Sequence, residues 1–223
     1  MKAVVLLSGG MDSAVCAGVA RGEGYSLHVL HVDYHQRTST RELQCAEALA
    51  QFYAAEEFKV LSVDFLREIG GSGLIDISIE LPTGDSESGS GMIPPSYVPF
   101  RNSILLSFAT AWAEVIGAEA IFYGANSIDF SGYPDCRPEY FKAFQKVIDM
   151  GTRDETSITL RTPLSSMSKA DIVARGIELH VPFESTWSCY IDPEKACGKC
   201  DSCRLRLKGF RENGIPDPIQ YQK

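Results

Sequence analysis

Two groups of residues in this 223-residue chain have the types and spacing to do chemistry. The first is Ser8-Gly9-Gly10-Met11-Asp12-Ser13, directly after the apolar run Ala3–Leu7. Adjacent glycines permit a tight turn and let successive backbone N–H groups point into one concavity. A helix starting there adds the positive end of its dipole, which suits a phosphate or pyrophosphate. Asp12 can cap that helix or help hold Mg²⁺, and Ser13 offers a hydroxyl to phosphate. A plain glycine turn with a helix cap is the simpler alternative. The loop lacks the lysine of GxxxxGK[ST] and does not match GxGxxG. The second group is Cys189, Cys197, Cys200 and Cys203 in CYIDPEKACGKCDSC. Two successive C-x-x-C turns and an earlier cysteine can converge four thiolates on Zn²⁺, in a closed site with no position for water and therefore a structural one. An iron–sulfur cluster and unligated thiols are the alternatives. Of the remaining cysteines, Cys16 and Cys45 fall on expected helices as small packing residues, and Cys136 does not.

The elements that must position these groups follow from hydrophobic period. Strands are predicted over 3–7, 27–33, 58–63, 120–124 and near 157–161. Helices are predicted over 12–21, 40–54 with Thr40 as N-cap, 102–116, 138–149 and 168–179. Strands alternating with helices imply right-handed crossovers and a Rossmann-like, doubly wound parallel sheet. Ligands bind such sheets beyond the carboxyl ends of the strands, where residues 8–13 lie. Residues 70–96 are rich in Gly, Ser and Pro, and are expected to form a long mobile loop, either a lid or disordered.

At 44% apolar and 22% charged, the composition is that of an ordinary globular protein. A net charge of −8 argues against a nucleic-acid-binding surface, which needs a basic face. No signal-peptide pattern precedes the first strand, and no apolar run approaches a membrane span. The expectation is a cytoplasmic protein without a membrane partner, whose cysteines stay reduced and favour metal over disulfides.

Three further stretches concentrate polar groups. VPFRNS (98–103) sets Arg101 and Asn102 at a helix start; SIDFSGYPDCRPEYF (127–141) packs acids, a tyrosine, a cysteine and an arginine into a turn-rich loop. TPLSSMSKADI (162–172) puts Lys169 at a helix N-terminus, an unfavourable place for a cation unless it meets an anion. Each has a bland reading as surface charge or ordinary loop.

The string SGGMDS resembles the SGGxDS signature of the PP-loop ATP pyrophosphatases. With VDYHQR, VPFRN, SGYPDCRPEYF, TPLSSMSKADI and the four-cysteine tail in this order, residues 3–210 resemble the 7-cyano-7-deazaguanine synthase family. That resemblance implies a Rossmann-like domain with a small zinc-bearing element, commonly a homodimer, divided here as 1–185 and 186–223. It implies conversion of 7-carboxy-7-deazaguanine and ammonia, at the expense of ATP with Mg²⁺, into a nitrile of the queuosine pathway. By the same resemblance Ser8, Gly9, Gly10, Met11, Asp12 and Ser13 cradle the phosphates, with Asp12, Lys169 and Arg101 as the catalytic set. Asp129, Tyr133, Asp135 and Arg137 are the candidates for the deazaguanine, through hydrogen bonding, stacking and carboxylate pairing.

The chain departs from the family pattern at His35 and Phe100, where glycine is usual. Phe100 is expected to add bulk near the nucleotide and His35 a titratable ring. A relative that stops at the amide or acts on a neighbouring substrate, a tRNA-modifying PP-loop enzyme, and a non-catalytic nucleotide-binding module are the competing readings.

Overall fold

The first strand, β1 (Lys2–Leu6), alternates its buried side chains between two cores: Ala3 and Val5 face one, Val4 and Leu6 the other. That double burial is why its sequence is a continuous apolar run rather than an alternating one. The computed structural model describes residues 1–84, 93–127 and 132–222. After β1 come α1 (Met11–Gly22), β2 (Ser26–Asp33), α2 (Ser39–Phe52), β3 (Glu57–Ser62), α3 (Asp64–Ile69), α4 (Arg101–Ile116), β4 (Ala120–Tyr123), α5 (Pro138–Gly151), β5 (Thr159–Arg161), α6 (Lys169–Glu178) and α7 (Asp201–Glu212). The five strands form one parallel sheet in the order β3-β2-β1-β4-β5. The core on one face takes side chains from α1, α2, α6 and α7; that on the other takes them from α3, α4 and α5. The order reverses between β1 and β4, which opens the carboxyl edge of the sheet there to a ligand.

Several expectations need correction. The second helix starts at Ser39 with Thr38 as N-cap, not Thr40, and the Thr38 hydroxyl donates to Glu42 and the Cys189 carbonyl instead of capping. Two helices were not expected, α3 and α7. The described part of 70–96 is less a mobile loop than a packed irregular segment. Leu74, Ile75 and Leu81 are buried in the second core, and the Arg37 guanidinium donates to the carbonyls of Asp76 and Ile79 at 3.1 and 2.7 Å. Its apolar residues are spaced at neither helical nor strand period, so turn composition concealed them. Residues 85–92 of that stretch lie outside the described residues.

Candidate active site and cysteine cluster

The chain leaves β1 through Ser8 and turns at Gly9, whose φ of +83° belongs to the region glycine favours. A Cβ on Gly9 would lie 2.3 Å from the Glu42 carbonyl oxygen, so the turn packs directly on α2. Gly10 is the N-cap of α1 and no side chain caps the helix, which leaves the first-turn N–H groups available to an anion. Ser13 Oγ donates to the Gly10 carbonyl at 2.9 Å and accepts from Ser8 N at 3.2 Å, bracing the turn from inside. Gly124, just after β4, presses on the same turn; a Cβ there would be 3.0 Å from the backbone of Asp12. Asp12 does not cap α1. Its carboxylate accepts from Lys169 Nζ at 2.6 Å, across 157 residues. That contact is the anion that a lysine at a helix N-terminus requires; the Lys169 side chain is 7% exposed and that of Asp12 22%.

Ser8, Gly10, Met11, Asp12, Ser13, Lys169 and Arg101 line a single cavity, while Gly9 braces its wall from behind. A second part of the lining is a side-chain network centred on Asn102. Its backbone N–H and side-chain amide donate to the Asp135 carboxylate and carbonyl at 3.0 and 2.9 Å. Its Oδ1 accepts from the Tyr123 hydroxyl at 2.6 Å. Arg101 donates to the Tyr34 hydroxyl at 3.0 Å and lies over the Tyr34 ring. Tyr133 and Cys136 also line the cavity, and the Tyr133 and Ser96 hydroxyls are 2.7 Å apart. Burial, reinforced by the Asp135 carboxylate, pushes the Cys136 thiol up to about 11, so it is a neutral thiol at pH 7 and no thiolate nucleophile.

The candidates from 127–141 separate. Tyr133 is in the cavity wall. Asp135 is buried, and its carboxylate positions Asn102. Arg137 is exposed as the N-cap of α5 and is not among the cavity-lining residues. Asp129 lies outside the described residues. Tyr34, Gln36, Thr38, Glu42, Tyr123 and Trp187, all lining the cavity, were not singled out from sequence. VDYHQR was the one signal available for the first two.

His35 and Phe100 both adopt left-handed backbone, with φ of +61° and +58°. This accounts for the glycines of the family pattern through backbone conformation. The expectation that Phe100 crowds the nucleotide is corrected: its side chain is 64% exposed and does not line the cavity. His35 Nε2 pairs with the Asp64 carboxylate at 2.5 Å on the surface.

The four cysteines of the tail are buried, with all four Sγ atoms within 4.8 Å of one another. Cys197 and Cys203 Sγ are 3.9 Å apart. That is close to the edge of about 3.8 Å in a tetrahedron with ~2.3 Å Zn–S bonds. Backbone N–H groups of Ile191, Asp192 and Cys197 point at Cys189 Sγ at 3.4 Å, as suits a thiolate. The donor set therefore fits a thiophilic metal ion. The cluster is latched to the glycine turn, since Trp187 N donates to the Gly9 carbonyl at 2.9 Å. Behind it, the fully buried Arg206 forms a bidentate pair with Asp217 at 2.7 and 2.9 Å and donates to Thr186 Oγ1 at 2.6 Å. Among the described residues no helix is long and apolar enough to cross a membrane.

Comparison with known proteins agrees with this architecture. The chain is 54% identical over 222 residues, all of it and 97% of the relative, to a 7-cyano-7-deazaguanine synthase of Chlorobium luteolum. It is 50% identical over 223 residues, covering both chains in full, to one of Methanosphaerula palustris. Among solved structures, a 4-thiouridine synthetase in complex with RNA and ATP has a TM-score of 0.55 at 18% identity, over 99% of this chain and 47% of that one. An NMN synthetase from Francisella tularensis has a TM-score of 0.51 at 16% identity, over 96% of this chain and 78% of that one. Those two likenesses concern the fold alone. The family model of the queuosine biosynthesis protein QueC matches residues 2–214, and the chain belongs to that family.

Proposed function

We propose that the chain converts 7-carboxy-7-deazaguanine and ammonia to 7-cyano-7-deazaguanine, adenylating first the acid and then the amide. The observation that carries this is the junction, in one cavity, of an uncapped glycine turn, the Asp12–Lys169 pair and the Arg101–Asn102 network, in a chain of this family. A carboxylate is a poor electrophile, and placing AMP on its oxygen makes that oxygen a leaving group. The turn N–H groups and Ser13 hydroxyl suit the β- and γ-phosphates, which depart as pyrophosphate. Lys169 offsets their charge while Asp12 fixes its position. This is catalysis by preorganised electrostatics and positioning, without a protein nucleophile. Arg101 suits the substrate carboxylate or the α-phosphate, and Tyr133 a face of the deazaguanine.

Zn²⁺ on Cys189, Cys197, Cys200 and Cys203 would supply cross-linking of the 186–223 element, not chemistry. That element then clamps the glycine turn of the 1–185 part through Trp187. Mg²⁺ accompanies ATP, the location is cytoplasmic, and the assembly is a homodimer; these rest on the family. Purified protein given ATP, Mg²⁺, ammonium and 7-carboxy-7-deazaguanine should release AMP and a product with the mass of the nitrile. An amide endpoint, or no substrate-dependent AMP, would overturn the reading.

A further inference from the structure

Near pH 7 the ammonia of this reaction is present almost wholly as ammonium, with four N–H bonds, and the nitrile nitrogen has none. A nitrogen captured as ammonium has four protons to shed on the way to the nitrile, and adenylation removes none of them. Of the described residues that line it, only Asp12 and Glu42 carry carboxylates. Asp12 is committed to Lys169 at 2.6 Å. Glu42, in the first turn of α2, is in no ion pair among the described residues. Its Oε1 accepts from the Thr38 hydroxyl at 2.7 Å and its Oε2 from the Gln36 amide at 2.8 Å. Each oxygen keeps a further lone pair, so the carboxylate is aimed and still able to accept a proton.

Resting on the functional reading above, we infer that Glu42 is the ammonium site and the base that deprotonates the nitrogen. Ammonium gives one proton to the Glu42 carboxylate. The freed lone pair forms the C–N bond at the adenylated acyl carbon, the C–O bond to AMP breaks with its electron pair, and a second proton leaves to give the amide. The amide oxygen then attacks the α-phosphorus of a second ATP and pyrophosphate departs. The last two N–H protons leave as the C–O bond to AMP breaks and the nitrogen closes the triple bond. Glu42 passes each proton to water before the next arrives.

The surroundings favour this role. Burial holds the Glu42 carboxyl above the usual carboxylate range, against the lowering effect of the Thr38 and Gln36 hydrogen bonds and of His31 on β2 and Arg101 on α4. A base whose affinity for protons lies closer to neutrality is the more effective at pH 7. Tyr34 stands beside it, and burial raises that phenol further from titration. Cys136, also in the wall, stays protonated at about 11.

The test is Glu42→Gln. A glutamine keeps both hydrogen bonds, because the Thr38 hydroxyl can turn to accept one. Three readouts are compared in the full-length protein: substrate-dependent ATP–pyrophosphate exchange, hydroxamate formation with hydroxylamine, and amide and nitrile formation with ammonium. Hydroxylamine is largely unprotonated at neutral pH and needs no base to attack. The variant should keep exchange and hydroxamate formation within about two-fold of the wild type. It should lose amide and nitrile formation by about 100-fold or more, with the amide step partly recovered at pH 9, where more free ammonia is present. Wild-type nitrile formation by the variant would overturn the inference, and so would equal loss of all three readouts, which would mean a structural role. Absence of exchange in the wild-type protein would instead overturn the functional reading, and this inference with it.

Discussion

The glycine turn and the Asn102 network line the same cavity but are built by opposite means. The turn is made of backbone, and its shape depends on missing side chains: a Cβ at Gly9 or Gly124 would sit 2.3 or 3.0 Å from neighbouring backbone atoms. The network is made of side chains from separate elements, with Asn102 joining Tyr123, Asp135 and Cys136. The difference matches two tasks. Phosphates are common to every ATP and can be held by fixed N–H groups, whereas a particular heterocycle needs a particular arrangement of side chains. The turn should therefore fail abruptly when filled, and the network gradually when trimmed.

The largest effect on turnover is expected from Gly9→Ala, which combines φ +83° with the contact on the Glu42 carbonyl. It should cost about 3 kcal/mol in urea denaturation and abolish AMP release. A variant with wild-type turnover would break the contrast. Arg206→Met leaves the buried Asp217 carboxylate without its cation, held only by the Tyr221 hydroxyl and the Ile219 N–H. About 3–5 kcal/mol of stability should be lost, with pyrophosphate exchange weakened because Trp187 no longer braces the turn. Lys169→Met should lower kcat for pyrophosphate exchange by about 100-fold with a smaller change in stability, since it removes a charge that acts at the phosphates. Asn102→Ala should raise KM for the deazaguanine more than KM for ATP, and equal effects on both would merge the two regions into one.

The smallest effects lie outside the cavity or concern its titration. Phe100→Gly relieves a left-handed residue whose side chain is in solvent. It should gain about 0.5–1 kcal/mol without a change in turnover, as read by thermal denaturation and steady-state rates. Glu42 binds its proton more tightly folded than unfolded, so its contribution lowers stability as pH rises from the ordinary carboxylate range through its raised value. The Tm difference between Glu42→Gln and the wild type should accordingly be small at pH 4 and favour the variant at pH 8.

The same contrast explains what could be read in the sequence. Strands β1, β2, β3 and β4 were legible within a residue or two from their apolar and β-branched runs, whether buried on both faces as β1 is or largely uncovered as β3 is. The glycine turn was legible because missing side chains leave a local string. Lys169 stood out as a cation at a helix start, although its partner Asp12, 157 residues away, could not be read. The network was legible only in part: Arg101, Asn102, Tyr133 and Asp135 fell in stretches that stood out, but Tyr123 and the contacts that join these separate segments could not be read. Glu42 was not distinguished from the other acids of the chain, and the hold of Asp135 on Asn102, 33 residues away, was not readable. Helix α7 was hidden because Asp201–Glu212 is mostly polar, with few apolar residues to show a helical period, and follows directly on the cysteine turns.

The account rests on ATP being divided between its α- and β-phosphates twice for each nitrile made in one cavity. Counting nucleotide products against nitrile, with ammonium and 7-carboxy-7-deazaguanine in excess, tests that directly. Two AMP and two pyrophosphate per nitrile are predicted. ADP and orthophosphate in their place would contradict it.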